Sequence, residues 1–234
     1  MKGISIIVTA YHTKQYIKDA LDSISNQEYF KTHHDYEILV GIDGDLELAQ
    51  YMSTIKDEYH NLHVLVSHKN VGTYVMTNSL MSMASYDTLL RFDSDDVMMP
   101  NMVSVVMEFI SKFDYIRPSH IDYDDTMTTP TGKIKKTWGP IAINRCVFEE
   151  TGGYRPWVCG ADTDFLNRIK TKYRGAFTKS ALFKRRIHSA SLTQNPNTGL
   201  HSAIRAEYKK FIKEETSKPE NFKIETVTCP LDEI

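Results

Sequence analysis

The first 118 residues alternate short apolar runs with amphipathic stretches, and this alternation constrains the fold more than any other feature. Ile4 to Thr9 is a nearly continuous apolar run, the mark of a strand buried on both faces. After it, Ile17, Ala20, Leu21 and Ile24 recur at helical spacing. Tyr36 to Ile42 forms a second strand pattern, ended by the turn formers Asp43-Gly44-Asp45. Leu62 to Val66 is a third. A helix over about Thr73 to Ala84 carries Met76, Leu80 and Met83, and Thr88 to Phe92 is a fourth strand that runs into Asp93-Ser94-Asp95-Asp96. Pro100 suits the first turn of a helix with Val103, Val106, Met107 and Ile110 on its apolar face. Such alternation predicts an α/β fold with a mostly parallel central sheet flanked by helices.

Ligands of such sheets bind beyond the carboxyl ends of the strands. Tyr11-His12, Asp43-Gly44 and Asp93-Ser94-Asp95 each follow a strand, so all three are expected on one rim. From about residue 119 the pattern loosens. His120 to Thr131 is polar and turn-rich, Lys133 to Ile143 has strand character, and Arg145 to Glu150 is a short helix ended by Gly152-Gly153. Helices are expected over Ala161–Lys172 and Leu200–Glu215, and a strand over Leu182–Ile187. Residues from Ser217 form a tail or edge segment. The organisation expected is therefore a ligand-binding half at 1–118, a second half at 119–216 and a tail at 217–234.

Three cysteines, Cys146, Cys159 and Cys229, are too few and scattered for a disulfide framework or a zinc site, and fit reduced thiols in a cytoplasmic protein. Ile4 to Val8 is too short for a secretory h-region, and no window approaches the roughly 20 apolar residues of a membrane span. The formal charge is −2, unevenly spread. Residues 1–100 hold 7 Lys+Arg against 14 Asp+Glu, whereas residues 165–218 hold 13 against 3. The basic C-terminal third suits contact with an anionic surface, or it is a solvated helix face. Lys170, Lys172, Arg174, Lys209 and Lys210 are its candidate patch.

The chemistry sits in a few clusters. Two carboxylates one residue apart, Asp93 and Asp95, can share a hard cation such as Mg²⁺ or Mn²⁺, which completes its shell with water and phosphate oxygens. Asp43 suits a hydrogen bond to a nucleobase or ribose, or serves an Asp-Gly turn. Tyr11 is a stacking platform or a rim aromatic. In Gly160-Ala161-Asp162-Thr163-Asp164, Asp162 stands where a helix begins: it caps that helix or takes a proton from an attacking hydroxyl. His188 is a candidate metal or phosphate ligand, and Lys184, Arg185 and Arg186 before it suit phosphates or water.

In this order the clusters resemble the family 2 glycosyltransferases of the GT-A fold. ISIIVTAYHTKQYIKDALDSISNQ resembles the family's opening strand, Tyr-containing turn and first helix, and YEILVGIDGD its second strand and acidic turn. Asn70 to Asp96 is similar to its Asn-x-Gly helix, strand and metal motif, Phe148 to Leu166 to its Gly-Gly and acidic segments, and Arg186-Ile187-His188 with Ser191 to its late His-x-x-Ser element. The likeness covers about residues 3–195.

It implies an inverting, non-processive transfer of a sugar from a UDP-sugar to a hydroxyl, with Mn²⁺ or Mg²⁺ as cofactor. Donor binding falls to Thr9, Tyr11, Asp43, Asn70, Gly72, Arg91, Asp93, Ser94 and Arg186, metal binding to Asp95 and His188, and general base catalysis to Asp162. Three departures stand out. Gly41-Ile42-Asp43 leaves one acid where the family often has two. Ala161 replaces the usual Glu, which leaves Asp162 and Asp164 as alternative bases, Asp162 being the aligned one. The Gln-x-x-Arg-Trp element of processive synthases is missing. The acceptor is open among a saccharide, a lipid-linked saccharide and a hydroxymethylated DNA base. A nucleotidyltransferase is the competing enzyme, though its Gly-rich phosphate loop does not match Thr9-Ala10-Tyr11-His12, and a non-catalytic binding module is the third alternative.

Overall fold

The computed structural model describes residues 2–136, 139–189, 191 and 194–234. The chain runs β1 (Ile4–Ala10), α1 (Ile17–Ser25), β2 (Tyr36–Asp43), α2 (Leu46–Ile55), β3 (Leu62–Ser67), α3 (Thr73–Met83) and β4 (Thr88–Asp93). It continues through β5 (Val97–Met98), α4 (Met102–Ile110), β6 (Tyr115–Tyr123), β7 (Lys135–Lys136), β8 (Ile141–Asn144), α5 (Arg145–Thr151) and α6 (Ala161–Ile169). The last elements are β9 (Gly175–Arg186), α7 (Ala203–Glu214) and β10 (Asp232–Glu233).

One sheet takes the order β10-β3-β2-β1-β4-β8-β6-β9-β5, with β7 paired to β6. Its core, β3-β2-β1-β4, is parallel. β8 then runs antiparallel to both β4 and β6, and β9 runs parallel to β6. The fold is the expected mixed α/β single domain, mostly but not purely parallel. β4, β6 and β9 therefore point the same way and deliver their carboxyl ends to one rim.

Strand parity sorts the core into two layers. Ile4, Ile6 and Val8 of β1, with Ile38, Val40 and Ile42 of β2, pack with Leu21 and Ile24 of α1, Met52 of α2 and Val106 of α4. Ile7 and Leu39 face the opposite layer, with Met76 and Leu80 of α3 and Phe165 and Ile169 of α6. Gly41 lies on that second face. A Cβ there would stand 2.5 Å from Met76 Sδ and 2.9 Å from Leu80 Cδ1, so α3 packs closely because Gly41 has no side chain. Gly41→Ala is expected to overpack this contact by about 1–3 kcal/mol. At about 2–4 °C per kcal/mol for a domain of this size, melting should fall by roughly 3–10 °C in a thermal unfolding scan. An unchanged melting point would mean that α3 gives way freely.

Two departures from the sequence pattern lie in the second half. β6 occupies part of the stretch expected to be loop, and β9 starts at Gly175 rather than Leu182. Of the strand expected over Lys133–Ile143, β7 and the start of β8 are seen, while residues 137 and 138 lie outside the described residues.

The segment after α7 is a strap that ends in an edge strand. Ile224 N donates to Thr151 O at 3.0 Å, Asn78 Nδ2 to Val227 O at 3.2 Å and Cys229 N to Ser79 Oγ at 2.8 Å. β10 then pairs antiparallel with β3 and covers the sheet edge. No described helix is long and apolar enough to cross a membrane.

Candidate active site

The rim is assembled by loops that tie one strand end to the next. Asp45 accepts from Leu48 N at 3.0 Å, which caps α2, and from His12 N at 2.9 Å, which pins the turn after β1. His12 holds φ 55 there. Tyr11 beside it is 46% exposed and its ring centroid is 3.9 Å from that of His12, so an aromatic face is presented on the rim. Thr9 Oγ1 meets Thr73 Oγ1 at 2.8 Å, joining the end of β1 to the first turn of α3. Ser94 is buried and donates to Thr13 Oγ1 at 3.1 Å, so it ties β4 to the β1 turn rather than standing free.

Asp43 is also engaged. Its carboxylate accepts from Val71 N at 2.7 Å and Gly72 N at 2.9 Å, and only 3% of the residue is exposed. Burial pushes its pKa up, against the two amide hydrogen bonds that favour the charged form. Asp43 thus clasps the loop in which Asn70 is exposed and Gly72 takes φ 87 with open space where a Cβ would be. Gly160 before α6 is built alike, with φ 79 and no neighbour within 4 Å of a Cβ. Two glycine-led helix N-termini, of α3 and α6, adjoin each other, because the Asp162 amide lies against the Tyr74 hydroxyl. Helix N-termini carry partial positive charge and unpaired N–H groups.

The acids divide into free and used. Asp93 pairs with Arg91, Nη2 to Oδ1 at 2.8 Å. Desolvation raises the Asp93 carboxyl above its ordinary value; Arg91 opposes this, and the charges of Asp95 and Asp162 add to it. Asp162 therefore comes within electrostatic reach of Asp93. Asp95 Oδ2 meets His188 Nε2 at 2.8 Å, and the imidazole packs 4.8 Å from the Tyr16 ring. Asp96 is internal: it accepts from Arg186 N at 2.9 Å, and burial beside Asp95 and Asp93 holds its pKa well above the usual range.

Asp162 and Asp164, both in the first turn of α6, differ sharply. Asp164 is fully buried and accepts from Thr216 Oγ1 at 2.7 Å, Arg168 Nε at 2.8 Å and Arg155 Nε at 3.2 Å. Asp162 is half-buried, and its Oδ1 accepts from the adjacent Thr163 N at 2.7 Å. Gly160, not Asp162, is the N-cap. Among the described residues Asp162 Oδ2 accepts no hydrogen bond, whereas both oxygens of Asp164 do.

Two expectations are corrected. Arg186 does not face a ligand. Only 4% of it is exposed; Nε donates to Asp95 O at 2.9 Å, Nη2 to Asp19 Oδ2 at 2.7 Å and Nη1 to Asp125 O. Its fork is spent bracing the Asp93–Asp96 turn. The basic patch also divides. Lys170, Lys172 and Arg174 follow the C-terminus of α6, roughly 13 Å of helix away from Asp162, at the opposite end of the sheet. Lys172 there pairs with Glu150, and Arg174 N donates to Asp114 Oδ2 at 2.8 Å. Lys209 Nζ donates to Leu200 O at 3.3 Å and Lys210 is exposed on α7.

Sequence reasoning missed Tyr74 and Tyr154, which are buried beneath the acids with Arg91. Arg91 lies within electrostatic reach of Asp93 and Asp162, while its Nε and Nη1 and the Tyr154 hydroxyl are buried with no hydrogen-bond partner among the described residues. An arginine two residues before a strand-end acid was the available signal. A cavity of about 180 Å³ is lined by His12, Lys14, Gln15, Asp45, Glu47 and Leu48, at the β1–β2 end of the rim.

A carboxyl rim that gathers acids, an imidazole and two helix N-termini defines an α/β protein suited to a phosphate-bearing ligand. The chain belongs to glycosyl transferase family 2, whose model matches residues 5–189. An uncharacterized glycosyltransferase of Haemophilus influenzae is 28% identical over 114 residues, 48% of this chain and 34% of its own length. Glycosyltransferase AglE of Haloferax volcanii is 30% identical over 96 residues, 39% of this chain and 30% of its own. The chain thus spans about a third of the length of these curated relatives. Among solved structures, S. aureus TarS 1-349 in complex with UDP is similar at TM-score 0.66 and 18% identity, covering 81% of this chain and 61% of that one. The mannosyltransferase PcManGT of Pyrobaculum calidifontis, in complex with GDP-Man and Mn²⁺, is similar at TM-score 0.67 and 15% identity, covering 94% and 66%. These likenesses show the GT-A type of fold.

Proposed function

We propose that the chain is an inverting glycosyltransferase that moves a sugar from a UDP-sugar to an acceptor hydroxyl. The observation that supports this reading is Asp162, half-buried in the first turn of α6 and within electrostatic reach of Asp93, the acid at the strand end that leads into the Asp95–His188 pair. A base on one side of a sugar and a diphosphate held on the other is the arrangement a single displacement needs. Asp162 takes the proton of the acceptor hydroxyl. The oxygen then forms the new bond to the anomeric carbon while the bond from that carbon to the diphosphate oxygen breaks on the far face, which inverts configuration.

Asp95 and His188 fit a divalent cation. They hydrogen-bond each other at 2.8 Å, and a carboxylate and an imidazole are the donors that would hold such an ion. The sparse protein ligation also suits it, since Mg²⁺ keeps waters and substrate phosphates in its shell. When bound, the cation supplies charge neutralisation for the departing diphosphate. Tyr11 stacks on the base. Asp43 acts by holding the Asn70–Gly72 loop against the nucleoside, and Arg91 fixes Asp93 for the ribose.

The test is thermal stability with UDP or GDP, each with Mn²⁺, Mg²⁺ or chelator. At 100 times the dissociation constant a ligand stabilises by about 2.7 kcal/mol. A rise of roughly 5–10 °C is therefore expected with UDP and metal. Chelator or Asp95→Ala should remove most of it. Stabilisation by GDP instead of UDP would overturn the base assignment, and an undiminished UDP response in chelator would overturn the metal site.

A further inference from the structure

We infer that one face of the β7–β6–β9 part of the sheet, carrying Ile134 and Phe177 with Lys133, Lys136 and Lys179 around them, docks on an anionic bilayer surface. The inference goes beyond the transferase reading and does not need it, because binding to a bilayer is read without nucleotide or sugar.

Strand parity defines the face. On one side of β6, Ile116 packs with Val103 and Val106 of α4. His120 and Asp122 share that side, and Lys135, in register with His120, turns there to Asp122. Arg117 and Ser119 take the other side. Phe177 of β9 is in register with Arg117, and Lys136 of β7 with Ser119. The Lys136 ammonium stands 3.5 Å from the Phe177 ring centroid, so the two side chains meet across β6. Ile134, two residues before Lys136, has the same parity.

Single exposed apolar residues are ordinary on a protein surface. Here Ile134 and Phe177 stand 51% and 45% exposed on one face. Residues 126–136 and 175–181 around them hold four lysines and no Asp or Glu, in a chain whose formal charge is −2. One of the four, Lys135, is spent on Asp122 at the opposite side. Lys133 and Lys179 are exposed, and neither is ion-paired among the described residues. Phosphate contacts alone, as on nucleic acid, would use the lysines and leave the apolar pair idle. A bilayer uses both, since apolar side chains enter the headgroup boundary while lysines beside them reach lipid phosphates. The Phe177–Lys136 pair suits the same depth, where aromatic rings and the charged heads of long side chains settle. Arg117, opposite Phe177, lies within electrostatic reach of Asp162, so the patch flanks the candidate base.

The test is flotation of the full chain with vesicles of phosphatidylcholine, alone or with about one quarter phosphatidylglycerol, at low salt. Binding to the anionic vesicles should be about tenfold tighter than to the neutral ones or better, and should weaken as salt is added. Lys133→Ala/Lys179→Ala should weaken anionic-vesicle binding about tenfold or more. Ile134→Ser/Phe177→Ser should weaken it about fivefold or more. All four side chains are exposed, so both variants should melt within about 2 °C of wild type. Equal binding to the two kinds of vesicle, or anionic-vesicle binding that either variant leaves unchanged, would overturn the inference. So would short duplex DNA that binds as tightly as the anionic vesicles and ignores the serine variant, which would assign the lysines to nucleic acid.

Discussion

Asp162→Asn is expected to lower sugar transfer by about 10²–10⁴-fold, the usual contribution of a positioned general base. The amide keeps the size of the carboxylate, and its oxygen can still accept from Thr163 N, so the first turn of α6 should persist. UDP–Mn²⁺ binding should stay within about twofold, because the proposed nucleotide and metal ligands follow β1, β2, β4 and β9 rather than lying on α6. Transfer rates measured beside the UDP thermal shift separate the outcomes. Retained transfer would remove Asp162 from the chemistry, and a parallel loss of UDP binding would make it a donor ligand.

Asp164→Ala, two residues away, should act on stability. It leaves Arg168, fully buried, and Arg155, 16% exposed, without their shared carboxylate. Removing one partner of a buried pair costs about 3–5 kcal/mol, because the remaining charge is left uncompensated. At about 2–4 °C per kcal/mol the melting temperature should fall by roughly 6–20 °C. The loss should extend to the strap, since Arg168 also donates to Phe222 O at 3.3 Å and Thr216 donates to Asp164. A melting curve that matched wild type would show that the network is incidental. With the expected outcomes, the two acids of one turn differ by kind of defect, one catalytic and one structural.

Legibility followed burial. The first four strands begin at the residues their apolar runs indicate, because a strand covered on both faces needs continuous apolar sequence. β6 was hidden for the opposite reason. It buries Ser119, His120 and Asp122 as polar groups, contains Pro118, and shifts register against β9 around Ser119, so neither period nor composition announces a strand. The acids at strand ends were readable, since a polar cluster directly after an apolar run has one place to go. What each acid touches was not. Asp43 and Asp162 look equivalent as isolated carboxylates, yet one is clasped by two amides and the other has an oxygen to spare. Arg185 and Arg186 show the same limit, since a one-residue change in strand parity exchanges a buried, hydrogen-bonded guanidinium for a part-exposed one ion-paired at 3.7 Å to Asp122. Tyr74 was obscured because α3 is buried from Tyr74 through Met81, which leaves no polar face to set its orientation.

The pairing of β10 with β3 bears on how the protein is made. Val66 leaves the ribosome long before its partner Asp232 exists. At roughly 5–20 residues per second, that edge stays bare for on the order of ten seconds while most of the sheet can already assemble. For that interval the nascent chain offers an extended, unpaired margin to any other strand nearby, and arrival of the strap closes it.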